Sequence, residues 1–145
     1  MGHHYCTLWL RADSADAAQT VFLLQVQDEL EFDDNQSPHL MKQAQRFREI
    51  GLIPRSDLPR YAWRLQSKLC VDTEEFDPMA HVSWLLAQVQ PGVCLGRLPG
   101  METLLSFFWG GPGRGGGPFI STALAGLLVQ HQIALDMGFY VEADA

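Results

Sequence analysis

Polar and apolar positions change period several times along this chain, and each change marks an element. Near the C-terminal end, Ile133, Leu135, Met137, Phe139 and Val141 alternate with Ala134, Asp136, Gly138, Tyr140 and Glu142. That is the period of a strand with one buried face. Immediately before it, Leu124, Leu127, Leu128 and His131 recur at helical spacing behind Ser121, which predicts a helix over Thr122–Gln132 with serine as its cap. The run Met101–Trp109 is apolar on both alternating faces, so it reads as a strand covered on each side and central in its sheet. Between that strand and the helix, Gly110–Pro118 is too rich in glycine and proline to continue a regular element and reads as a connection. Met101–Val141 thus forms a strand, glycine-rich connection, helix and strand, and the rest of the chain has to supply its partners.

The same periods place the earlier elements. Tyr5–Arg11 reads as a short strand, with Cys6, Leu8 and Leu10 on one face and Thr7, Trp9 and Arg11 on the other. Val21–Phe32 has a block of apolar residues that favours extended structure beside the first strand, although the preceding Asp13–Ala18 also resembles a helix start. Ser37-Pro38 starts a helix with Leu40, Met41, Ala44, Phe47 and Ile50 as its buried stripe, and Gly51 stops it. Tyr61, Trp63 and Leu65 alternate with Ala62, Arg64 and Gln66 in a further half-buried strand entered at Pro59 and reaching about Leu69. Asp77-Pro78 repeats the cap-and-proline signal ahead of Met79, Val82, Leu85, Leu86 and Val89. Pro91-Gly92 closes that helix, with an extra turn available over Val93–Leu98. The order predicts an α+β fold over 1–145: a single-layer, mostly antiparallel sheet with helices packed on one face. Its expected core is Leu8, Leu10, Leu40, Phe47, Trp63, Leu65, Val82, Leu85, Leu86, Val89, Leu105, Phe107, Leu124, Leu128, Leu135, Met137 and Phe139.

Composition is ordinary for a folded domain. At 145 residues, with 47% hydrophobic and 19% charged positions, the chain can build one core. No apolar run approaches the roughly 20 residues of a membrane span, and Met1–Cys6 lacks a basic region followed by an apolar one. The expectation is a cytoplasmic protein. Cys6, Cys70 and Cys94 are odd in number and far apart, the pattern of reduced, packed thiols and not of a zinc site or disulfide framework.

Charge changes the picture more. The net charge of −7 argues against nucleic acid and anionic membranes as partners. Asp13, Asp16, Asp28, Glu29, Glu31, Asp33 and Asp34 occur without an intervening Lys or Arg. A basic stretch follows from Lys42 to Lys68, then a second acidic cluster at Asp72, Glu74, Glu75 and Asp77. Acidic loops therefore bracket a basic segment.

Candidate chemistry is sparse. Gly111-Pro112-Gly113-Arg114-Gly115-Gly116 fits the dinucleotide pattern G-x-G-x-x-G, and Asp136 follows about twenty residues on. Pro118 and the cap at Ser121 delay the helix whose N-terminus would have to meet the pyrophosphate. A flexible connection or backbone contact loop fits better. His3, His4 and Cys6 could hold a soft metal, but they read first as an untethered terminus. His39, His81 and His131 fall on three predicted helices as surface or edge residues. Ser106, Ser121 and Thr122 lie in no nucleophile elbow, and Asp33-Asp34 and Glu74-Glu75 read as solvated charge. No enzyme, metal or cofactor is expected.

Several stretches in order, Gly51-Leu52-Ile53-Pro54, Trp63-Arg64-Leu65, His81-Val82-Ser83-Trp84-Leu85-Leu86, Phe107-Phe108-Trp109, Ile120-Ser121, Leu127-Leu128 and Ala134-Leu135-Asp136 with Tyr140, resemble a bacterial domain family of unknown function. Some members of that family look like immunity proteins of toxin–immunity systems. The resemblance covers about two-thirds of the chain, roughly Ser37–Val141, rests mainly on packing residues, and transfers no catalytic residue. It implies an immunity protein that binds and occludes a cognate bacterial toxin, and the acidic loops suit a toxin with a basic surface. First contact would fall to Asp28, Glu29, Glu31, Asp33 and Asp34, with Phe32 and Trp109 as anchors. The competing expectation is an anionic-ligand binder or enzyme using the glycine loop 110–118, with Arg114 as the anion contact and Trp109 as a stacking surface.

Overall fold

The computed structural model describes residues 3–24, 26, 28–31, 46, 49, 61–112 and 117–142. Arg46 and Glu49, within the helix expected over 37–50, are helical and exposed. Leu40, Phe47, Phe32, Asp33, Asp34 and Arg114 lie outside the described residues.

Among the described residues five strands make one sheet: β1 His3–Ala12, β2 Asp28–Glu31, β3 Tyr61–Gln66, β4 Met101–Pro112 and β5 Ala134–Glu142, in the spatial order β2-β3-β1-β4-β5. The pairings β1–β3, β1–β4 and β2–β3 are antiparallel, whereas β4 and β5 run parallel. Parallel neighbours need a crossover, and helix α3, Thr122–His131, supplies it. The sequence-predicted strand, connection, helix and strand is thus a β-α-β unit joined to an antiparallel sheet. β1 is the middle strand, paired over Thr7–Ala12 with β3 and over its whole length with β4.

Two further helices pack with the sheet: α1, Ala17–Val21, and α2, Pro78–Ala87. Asp77 accepts a hydrogen bond from the Met79 N–H at 3.0 Å, and Ser121 accepts one from Leu124 at 3.1 Å. Both expected caps therefore close the open N-termini of their helices. These three helices share one core with the same sheet face: Ala17, Ala18, Val21, Val82, Leu85 and Leu124 pack with Cys6, Leu8, Leu10, Trp63, Leu65, Leu105 and Phe107. The opposite face is buried as well at Thr7, Trp9, Arg11, Ala62, Glu102 and Leu104. Arg11 is fully enclosed there, its guanidinium 5.2 Å from the centre of the Trp9 ring and its backbone opposite Glu102.

Several expectations are corrected. The described residues of Val21–Phe32 do not run extended beside β1. Ala17–Val21 is helical, Phe22 makes one isolated bridge with Val89, and the strand begins only at Asp28 and pairs with β3. Burial of Val21 and Phe22 in the core outweighs the extended preference of an apolar block. β4 does not stop at Trp109. It continues through Gly110 and Gly111 to Pro112, because each of these positions has a parallel partner on β5 and a strand glycine costs only about 0.5–1 kcal/mol. α2 ends at Ala87, ahead of Pro91-Gly92, and a 3-10 turn occupies Leu95–Arg97. Met137 is 38% exposed and Leu135, Leu86 and Leu128 are only partly buried. β5 is the last strand of the sheet, so its core-facing residues have a neighbouring strand on one side only.

Candidate functional site

β2 carries Asp28, Glu29 and Glu31 and is, among the described residues, the terminal strand beside β3. Asp28 stands opposite Trp63 and Glu31 opposite Tyr61, with an irregularity between Asp28 and Leu30. A terminal strand offers one row of backbone groups to the outside, and charged side chains on it discourage indiscriminate pairing. The acids are therefore held in register on a sheet border. Beside them Tyr61 is half-buried and stacked against Trp63 at 6.0 Å between ring centres. This aromatic neighbour of the acidic strand was missed from sequence. Its signal would have been the pairing of β2 with β3, which no local pattern encodes.

Trp109 does not join this group. It sits on β4, three strands from β2 in the sheet order, a lateral separation of about 14 Å at ordinary strand spacing. It is also buried, with 3% of its surface exposed. The expectation that it anchors a partner or stacks a ligand is therefore wrong for the folded chain: Trp109 shares the face of Leu105 and Phe107, which points to the helices. A period of two through positions 105, 107 and 109 already carried that information.

Trp109 instead belongs to a cluster of rings in which His4 and His81 are buried and Phe76, 48% exposed, forms the outer edge. His4 stacks on it at 4.4 Å, Phe76 approaches at 6.1 Å, and the His81 ring meets it edge-on at 5.6 Å. His4 is a strand residue and no loose terminus: its backbone N–H donates to the Thr73 carbonyl at 2.7 Å. Burial, followed by the nearby His81 and His3, lowers its pKa from 6.5. His3 points to the other sheet face from His4 and Cys6, because successive strand residues alternate. That alternation separates the three residues considered as a soft-metal set. Among the described residues no group of three His, Cys, Asp or Glu is placed to hold a metal ion.

His81 is fully buried, contrary to the surface position expected for it. Its Nδ1 lies 2.8 Å from the Ser67 hydroxyl and its Nε2 2.8 Å from the Glu75 carbonyl. The carbonyl can only accept, so Nε2 carries the proton and Nδ1 accepts from Ser67. Ser67 in turn accepts from the Cys6 N–H at 2.8 Å. The Ser–His distance matches that of a nucleophile and its base, but both side chains have no exposed surface. Every polar atom in the chain of bonds is used internally. The network ties the 3-10 turn Ser67–Leu69 and α2 to β1. Burial likewise pushes the Cys6 thiol far above its ordinary pKa, which keeps it protonated and inert.

An open cleft of about 350 Å³ lies between the segment leaving α2 and the end of α3, lined by Leu86, Val89, Gln90, Val93, Cys94 and His131 among others. No helix among the described residues is long and apolar enough to cross a membrane. No family model, curated protein or solved structure matches the chain.

Proposed function

We propose that this chain is an immunity protein that binds a basic protein toxin through the acidic border of its sheet and blocks the toxin's working surface. The observation that carries the reading is the placement of Asp28, Glu29 and Glu31 together on the terminal strand β2. Three acids within four residues of one strand concentrate negative charge at this border, and negative fields raise association rates with cation-rich surfaces. Tyr61, next to Glu31 in register, replaces Trp109 as the aromatic residue best placed to contribute after first contact. The sequence resemblance to immunity-like proteins and the net charge of −7 support the same reading. The chain would act in the cytoplasm, without cofactor, catalysis or nucleic acid.

The test is co-expression with the product of the adjacent gene. Rescue of growth and formation of a complex are expected, and neutralising Asp28, Glu29, Glu31, Asp33 and Asp34 should slow association by tenfold or more, with the effect shrinking as salt is raised. A harmless neighbour, or one that this chain neither binds nor neutralises, overturns the reading. Unchanged association in the neutralised variant moves the interface away from β2.

A further inference from the structure

The two ends of the described sheet are finished differently. β2 is four residues long, carries three acids and has an irregular register with β3. Short length, charge and irregularity are the devices that keep a terminal strand from pairing with another chain. β5, at the other end, is built the opposite way. It runs nine residues, Ala134–Glu142, and is matched to β4 at every position without a shift. It holds no Lys, Arg or Pro. Among the described residues its ladder is with β4 alone, so its outer row of backbone N–H and C=O groups has no strand beside it. Met137 is 38% exposed, and Gly138, the middle residue of the strand, is exposed too. Nothing within the chain requires a glycine there. Its backbone is not left-handed, and a Cβ would meet only the Phe107 carbonyl oxygen at 3.4 Å, an ordinary contact. A glycine inside a strand weakens it and often marks the close approach of another backbone.

We propose that β5 pairs antiparallel with β5 of a second copy of this chain, about a two-fold axis through Gly138, so that the two five-stranded sheets become one. The occupant follows from the strand itself, which complements its own reverse. An axis through the middle residue pairs all nine positions. On that register Met137 stands opposite Phe139 of the second copy, and the two acids, Asp136 and Glu142, stand opposite Tyr140 and Ala134, so no charge faces its like. At the axis a residue faces its own copy, where any side chain would meet an identical one; a glycine removes that conflict. β2 lies at the far end of each sheet. The pairing neither uses nor blocks the acidic border and does not rest on the immunity reading.

Sedimentation of the full chain over a rising concentration series should show the mass moving from one chain toward two. Met137→Lys sets a charge inside the new ladder and should weaken the dimer at least tenfold, with the melting temperature of the dilute chain unchanged. Crosslinking reads the register. With Cys70 and Cys94 replaced by serine and the buried Cys6 kept, Gly138→Cys sets two thiols opposite each other across the axis, at the roughly 4.5–5.5 Å Cα spacing of paired strands, within the reach of a disulfide. Asp136→Cys in the same background sets them about 14 Å apart at ordinary strand rise. Oxidation with copper phenanthroline should therefore crosslink Gly138→Cys at least tenfold faster than Asp136→Cys. Should Gly138→Cys fail to fold, the concentration series and Met137→Lys decide. A chain that stays monomeric throughout, a Met137→Lys variant that dimerises like wild type, or equal crosslinking at the two positions would each overturn the proposal, the first of them leaving the edge to a strand of another protein.

Discussion

Gly96 shows how one missing carbon fixes a junction. A Cβ at this position would collide with the Gln132 carbonyl oxygen and lie 2.6 Å from the Gln132 Cβ. Gln132 itself is the left-handed residue, at φ 51°, that ends α3. Neither partner can retreat, because one is backbone and the other is held at the helix end. Gly96→Ala should destabilise the fold by about 1–3 kcal/mol, read as a lower midpoint in urea. His4 gives a residue-scale prediction of a different kind. Its pKa is lowered on folding, so the unfolded chain binds the proton more readily in the window below pH 6.5. Stability from the neutral ring is complete above that value and is lost as pH falls from 6.5 through the lowered folded value. His4→Phe keeps the stack on Trp109 but cannot titrate. Urea midpoints of wild type and variant should therefore run parallel above about pH 7 and diverge toward pH 5, with wild type losing more. Parallel curves throughout would remove His4 from the acid sensitivity.

At the scale of elements, the three-bond chain from Cys6 through Ser67 and His81 to Glu75 acts as a clasp between β1 and α2. Ser67→Ala and His81→Phe should each cost about 1–3 kcal/mol, since each leaves a buried partner unsatisfied. The double variant should cost clearly less than the sum, because the second removal finds its bond already broken. In the apolar layer above, Leu85→Ala and Phe107→Ala should cost about 2–5 kcal/mol each, measured by thermal or denaturant melts; both side chains are essentially fully buried. Elements of this kind were legible in the sequence. The helices α2 and α3 announce themselves by Asp77-Pro78 and Ser121, and β5 by strict alternation. His81 was legible too, one residue before Val82 and four before Leu85 on the buried stripe, but a titratable residue on a helix suggests a surface. What the sequence did not disclose is pairing between distant short segments: the Phe22–Val89 bridge and the partnership of β2 with β3. Four residues of strand carry too few side chains to specify a neighbour, so the rest of the sheet chooses it.

For the whole molecule, the α+β class follows from the order of elements, whereas the burial of both sheet faces does not. The alternation in β1 separates Cys6, Leu8 and Leu10 from Thr7, Trp9 and Arg11, and a face bearing threonine and arginine reads as solvated. Its enclosure is a tertiary fact. The acidic border fares similarly: composition reveals the charge, but only the sheet order places β2 at an end and Trp109 three strands inside.

The central position of β1 has a consequence for the birth of the protein on the ribosome. Its longest ladder is with β4, about ninety or more residues downstream, and at ordinary translation speeds of roughly 5–20 residues per second several seconds pass before that partner emerges. During this interval an apolar strand waits without the neighbour that finally encloses it. Contacts so distant in sequence also slow refolding of the released chain. Nascent chains stalled before Met101 should therefore recruit a chaperone or be cut readily near Leu8–Leu10 by protease, and chains stalled with Pro112 well clear of the exit tunnel should resist.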